Sequence, residues 1–183
     1  MTPGASDTAV FAAAPGITGV TPDRLLDTRS GIGAPAAKVE PGASIDLQIT
    51  GRGGIPASGV TAVALNVTAA EPTATSYLTV WPTGDTRPNA SYLNHVAGQT
   101  VPNLVIVKVG TAGRVSLYNA DGTAHLLADV SGWWGAGAEF TPITPARLLD
   151  TRNGTGGVTG PSSGTVDVVV SERASVPQER RQS

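Results

Sequence analysis

The hexamer Arg24-Leu25-Leu26-Asp27-Thr28-Arg29 recurs letter for letter as Arg147-Leu148-Leu149-Asp150-Thr151-Arg152, and each copy follows a Thr-Pro step, Thr21-Pro22 and Thr144-Pro145. A repeat at that interval makes the chain one complete module followed by the opening of a second. The correspondence continues past the hexamer, drops two positions in a loop, and then sets Asp46 against Asp167, Arg52 against Arg173 and Pro56 against Pro177. From Glu172 onward the second copy turns polar and charged where the first has Gly51-Arg52-Gly53-Gly54. The organisation read from this is a flexible leader over residues 1–20, a complete module over 21–134, a Gly/Ala linker over 135–139, and a truncated, partly disordered second copy over 140–183.

Within the complete module the dominant period is two. Residues 43–50 alternate, with Ile45, Leu47 and Ile49 on one face and Ser44, Asp46 and Gln48 on the other, the pattern of a half-buried strand. Residues 61–69 repeat it with Val63, Leu65 and Val67 inward and Ala62 and Ala64 outward, and residues 77–81 place Leu78 and Val80 inward. Residues 104–109 are apolar on both faces and read as a central strand with Leu104 and Ile106 in the core. Strands at 114–119 and 125–130 follow the turns Gly110-Thr111-Ala112-Gly113 and Asp121-Gly122, and a short piece covers 91–95. With the hexamer this gives about eight short strands between turn signals and no convincing helix, which predicts an all-β antiparallel sandwich, with a β-barrel as the alternative. The second copy holds two potential strands, 146–152 and 165–170, too few to close a core.

Composition narrows the function. Charged residues make up 14% of the chain, against about 25% in typical domains. The formal charge of −2 leaves no basic stripe for a nucleic acid backbone. Cysteine is absent, so neither disulfides nor thiolate metal sites are available. No run approaches the roughly 18 apolar residues of a membrane span. The first residues lack the basic and apolar regions of a signal peptide, so export of this chain by that route is not expected.

Several phrases stand in fixed order: TPDRLLDTR, GGIPASGVTAVALNVTA, SYLTVWP, GQTVPNLVIV, VSLYN and HLLADVSGWW. This order resembles the β modules repeated, often in tandem, in large secreted or surface proteins of actinobacteria, beside hydrolases, amidases and other exported domains. The resemblance covers nearly all of residues 21–134 and part of 140–177. It implies an extracellular or cell-surface accessory module, and it carries over no catalytic or binding residues.

The residues themselves offer little catalytic chemistry. Arg24, Asp27 and Arg29 form the best polar constellation, read as an ion network that staples the first strand to a neighbour, with Asp129 as a partner because a carboxylate in an apolar strand needs one. His95 and His125, the only histidines, have no metal-ligand spacing, no G-x-S-x-G elbow is present, and the aspartates lack a calcium-loop pattern. No enzyme activity, cofactor or metal site is expected, although a calcium site assembled from distant loops is left open.

Aromatic residues are only 4% of the chain, so their parity carries weight. Tyr77 and Trp81 fall on the outward side of one strand and Tyr118 on the outward side of another, a set that would stack on sugar rings if uncovered. Two functions follow. The first is a noncatalytic module that binds cell-wall or other polysaccharide through Tyr77, Trp81 and Tyr118. The second is a structural spacer or adhesion repeat whose partners are neighbouring repeats. Exposure of the aromatic face favours the first, and its burial the second.

Overall fold

The computed structural model describes residues 16–138, 140–161, 163–170 and 172–173. Eight strands form in chain order: β1 (Thr18–Asp27), β2 (Ser44–Gln48), β3 (Val60–Ala70), β4 (Ser76–Pro82), β5 (Leu93–His95), β6 (Val101–Lys108), β7 (Arg114–Asn119) and β8 (His125–Gly135). They pair antiparallel into two four-stranded sheets of order β1-β8-β3-β6 and β2-β7-β4-β5. The sheets do not close on one another. The fold is the expected all-β sandwich rather than the barrel, and the single helical element among the described residues is a 3-10 turn at Thr111–Gly113.

The core lies where the alternating residues of both sheets meet. Leu47, Val63, Leu65, Val67, Leu78, Val80, Leu117 and Val130 are fully buried there, and Ile45 packs against them half-buried. A buried side chain of this size contributes roughly 1.5–3 kcal/mol. Leu25 and Leu26 are adjacent in sequence yet both fully buried, because the register of β1 against β8 shifts between Arg24 and Leu26. That bulge lets two consecutive leucines face inward and leaves Arg24 outside, with Asp27 buried beside it.

Strand β6 corrects the sequence reading. It is an edge strand, not a central one. Val105 and Val107 face the core, whereas Leu104 and Ile106 are 59% and 39% exposed. Both parities are apolar, so the pattern alone could not select the inward face. Register selects it, since Val105 and Val107 lie opposite the core-facing Leu65 and Val63. Pro102 and Lys108, near the two ends of the strand, are residue types that discourage pairing at an open edge.

Ala62 and Ala64 do face outward, but they are covered. Trp134 and Phe140 pack over them, with the two ring centroids 4.8 Å apart. Trp134 reaches that outer face because the pairing of β3 with β8 shifts between Val130 and Gly132. Trp133 consequently packs against the main core and Trp134 does not.

Strand pairing starts at Thr18, inside the segment read as leader, and β8 runs on to Gly135. Neither 146–152 nor 165–170 forms a strand; only an isolated bridge, Asp150 to Thr155, remains there. Most of the leader, and the tail from residue 174 expected to be disordered, lie outside the described residues.

Candidate functional site

Two arrangements hold the residues singled out by sequence: a clasp of arginines around Asp27 and the outer face of β4 and β7. The clasp is built by local geometry. After Asp27 the chain reverses, with Asp27 and Ile32 exchanging backbone hydrogen bonds of 2.9 and 3.1 Å. Gly33 completes the turn at φ +73°, and a Cβ there would stand 2.2 Å from the Leu25 carbonyl oxygen, so only glycine fits. The turn brings Arg29 back over Asp27. Its backbone N–H and Nε donate to Oδ1 at 3.0 and 2.9 Å, and its Nη2 donates to Oδ2 at 2.7 Å.

Arg24 completes the network. Its Nη1 donates to Asp27 Oδ2 at 3.0 Å, while Nε and Nη2 donate to the two Asp129 oxygens at 2.8 and 3.1 Å. Asp129 is therefore the cross-strand partner expected, and Arg24 bridges β1 to β8. Arg29, aided by Arg24, holds the Asp27 carboxyl well below the usual carboxylate range, against the opposing effect of burial. The Asp129 carboxylate in turn raises the Arg24 guanidinium above its ordinary value. Asp27 spends both oxygens on these donors and keeps none to act as a base.

Sequence reasoning missed Thr28, which is buried beside the clasp. Its N–H donates to the Leu126 carbonyl at 3.1 Å, and its hydroxyl accepts from the Leu126 N–H at 3.1 Å and meets His125 Nδ1 at 3.0 Å. The signal was present: Thr is part of both hexamers.

The outer face of β4 differs from the expected platform. Trp81 has the outward parity read from sequence, but it is only 8% exposed. The segment after β4 folds back over it, so that Trp81 Nε1 donates to the Asp85 carbonyl at 3.1 Å and Thr79 Oγ1 donates to the Ala90 carbonyl at 2.6 Å. The same segment sends Arg87 over the Tyr118 ring, 3.7 Å from its centroid, a cation–π contact. Tyr118 is half-buried. Tyr77 remains 36% exposed, tilted against Tyr118 with centroids 6.4 Å apart. Trp81 is thus withdrawn from any flat aromatic surface, and Tyr77 stands as the one accessible ring of the three.

The start of the second copy approaches this face. Thr144 Oγ1 donates to Asp85 Oδ2 at 2.8 Å. Arg147 and Arg152 line a polar cleft of about 250 Å³ with Tyr77, Asn89, Ser91 and Asn94.

His95 is a further surprise. Though it has no metal-ligand spacing and sits on edge strand β5, it is 97% buried, being 3% exposed. Neither ring nitrogen has a well-formed hydrogen bond. Burial pushes its pKa down, and the nearby Ala74 backbone offsets part of that effect. Among the described residues no three His, Asp or Glu side chains stand close enough to hold a metal ion, and no helix is long and apolar enough to cross a membrane. Compared with known sequences, the chain matches no protein-family model and no curated protein.

Proposed function

We propose that this chain is a noncatalytic structural repeat, a spacer or adhesion module of an exported protein, whose partners are its neighbouring repeats. One observation carries the reading: the aromatic face that would bind sugar is covered by the chain's own segment, with Trp81 buried and Tyr118 capped by Arg87. The start of the next repeat lies beside the same face. The resemblance to tandem actinobacterial surface modules supports the exported, cell-surface setting. The arginine–aspartate clasp supports the noncatalytic part, since its carboxylate is consumed by its own arginines.

Polysaccharide binding is kept as a second reading because of Tyr77. Its ring is accessible and adjoins a cleft lined by Asn89, Asn94, Arg147 and Arg152, side chains able to hydrogen-bond hydroxyl or carboxylate groups of a saccharide. The deciding experiment incubates the full chain and its Tyr77→Ala variant with purified cell-wall polysaccharide. The spacer reading expects neither to be retained. Retention of the wild type and loss in a folded Tyr77→Ala protein would replace it with the binding reading.

A further inference from the structure

Strand β1 is an edge strand, paired on one side only, to β8. The side chains that seat it there come from the hexamer. Arg24 grips Asp129, Leu25 and Leu26 are fully buried, and Thr28 bonds Leu126 and His125. The second hexamer carries the same six residues and already holds the docking shape. Arg147 and Arg152 clasp Asp150 at 2.7 and 2.6 Å, Asp150 and Thr155 form the bridge that Asp27 and Ile32 form, and Gly156 takes the left-handed conformation of Gly33. Its apolar side is only partly covered, with Leu148 half-buried and Leu149 36% exposed.

The chain path also fits. In the β1–β8 register Arg24 lies opposite Asp129 and Leu26 opposite Ala128. If Arg147 lay opposite Asp129 and the pairing ran on without the irregularity that β1 has between Gly19 and Asp23, residues 130–135 would run out along β8, 136–140 would turn, and 141–146 would run back antiparallel. A five-residue connection is within the ordinary range for a β-hairpin, and residues 136–137 already form a turn. What favours β1 in the structure is local: Gly19 pairs with Gly132, and its counterpart 123 positions later is Pro142, which has no N–H for a ladder.

We propose that the β8 edge is a binding site for the R-L-L-D-T-R strand as such, and that residues 147–152 exchange with β1 at this edge within the same chain through a hairpin at 136–140. The module thereby has a spare first strand. In a tandem array each module could hand its first strand to the module before it.

The test uses the full chain and three variants, Leu26→Asp, Leu149→Asp and the double substitution, followed by thermal unfolding and by amide hydrogen exchange. Leu149→Asp should melt as the wild type does. Leu26→Asp should keep a cooperative transition at a lower temperature, and the double variant should lose it. In Leu26→Asp the Thr151 amide should become slow to exchange while that of Thr28 becomes fast, with the protein monomeric on size-exclusion chromatography. If Leu26→Asp is as unfolded as the double variant, or the two remain equally folded, the second hexamer does not substitute and the proposal fails. A dimeric Leu26→Asp protein with a slow Thr151 amide would overturn the route within one chain in favour of exchange between copies.

Discussion

The hexamer at Arg24 and the hexamer at Arg147 are one sequence in two settings. Both build the clasp: Arg29 and Arg152 each bind their aspartate through the backbone N–H, Nε and Nη2, and Arg24 and Arg147 each reach it from three residues earlier. Only the first is a strand. Its Leu25 and Leu26 are sealed in the core, while Leu149 is exposed, and Arg24 reaches Asp129 where Arg147 has no such cross-strand partner among the described residues. The clasp and its turn are therefore encoded within about ten residues. The strand is not: it requires a β8 to pair with, from the far end of the module. Local hydrogen bonding sets the shape of the segment, and burial of two leucines against a distant strand sets its secondary structure.

The largest expected difference between the two copies is in hydrogen exchange. The Thr28 amide donates to Leu126 across the β1–β8 ladder, so it exchanges only when β1 detaches or the module opens. Among the described residues no carbonyl accepts the Thr151 N–H. In the wild type Thr28 should exchange more slowly than Thr151 by a factor of about 10³ or more, as expected for an opening of several kcal/mol. Similar rates at the two positions would mean that β1 is no better held than its copy, and the contrast would collapse.

Removing the central carboxylate separates the copies next. Asp27→Asn removes the charge and one of the two acceptor oxygens that hold Arg24 and Arg29 beside a buried strand, and should cost about 1–3 kcal/mol in unfolding free energy. Both arginines keep contact with water, which holds the loss below that of a fully buried ion pair. Asp150→Asn should cost less, because that clasp anchors no strand. Equal losses from the two substitutions, measured by denaturant unfolding, would show that the second clasp bears on the fold as much as the first.

Acid unfolding tests the same pair without altering the carboxylate geometry. Asp27 and Asp150 are both held below their ordinary values, chiefly by hydrogen bonds from Arg29 and Arg152. A carboxyl whose folded pKa lies below its unfolded value of about 3.9 stabilises the fold above that pH, and the contribution is lost as pH falls through the folded value. Unfolding free energy should therefore drop below about pH 4, and Asp27→Asn and Asp150→Asn should each flatten part of that drop, Asp27→Asn the more because Arg24 also ties its clasp to Asp129 on β8. His95 adds an earlier limb. Its buried ring resists protonation, so stability should begin to fall below about pH 6.5, and His95→Leu should remove that part of the slope.

What the sequence revealed and what it concealed follow the same division between local and distant causes. Alternation in 43–50 and 61–69 located β2 and β3, turn signals located β7, and inward parity found Leu47 and Leu65. Parity named a side but not a cover. It placed Trp81 outward correctly, yet could not foresee that the Asp85 and Ala90 carbonyls would fold over that face. In β6 both parities are apolar, so the inward face was decided by the facing strand β3 and not by β6 itself. The paired burial of Leu25 and Leu26 depends on a bulge against β8, and the burial of His95 on neighbours packed around β5, neither of which leaves a periodic mark. Arg24, Asp27, Arg29 and Asp129 were legible as a network because a charge in an apolar strand requires a partner.

The smallest contrast lies one step upstream, where the residues ahead of the two copies do unlike work. At the repeat offset Ile17 corresponds to Phe140. Ile17 is 53% exposed and its tip lies against Gly132, whereas Phe140 is half-buried on Ala62, Ala64 and Trp134. Truncating an aromatic ring that covers such a patch removes part of its buried apolar surface and one ring–ring contact, so Phe140→Ala should cost about 1 kcal/mol. Ile17→Ala should stay within about 0.5 kcal/mol, as for an exposed position. Tryptophan fluorescence gives an independent reading. Without Phe140 the Trp134 ring meets water and its emission should shift to longer wavelength, while Ile17→Ala should leave the spectrum alone. If Phe140→Ala changes neither stability nor emission, the second copy adds nothing to the first through this contact, and its hold on the module reduces to Thr144 on Asp85 and the arginines beside Tyr77.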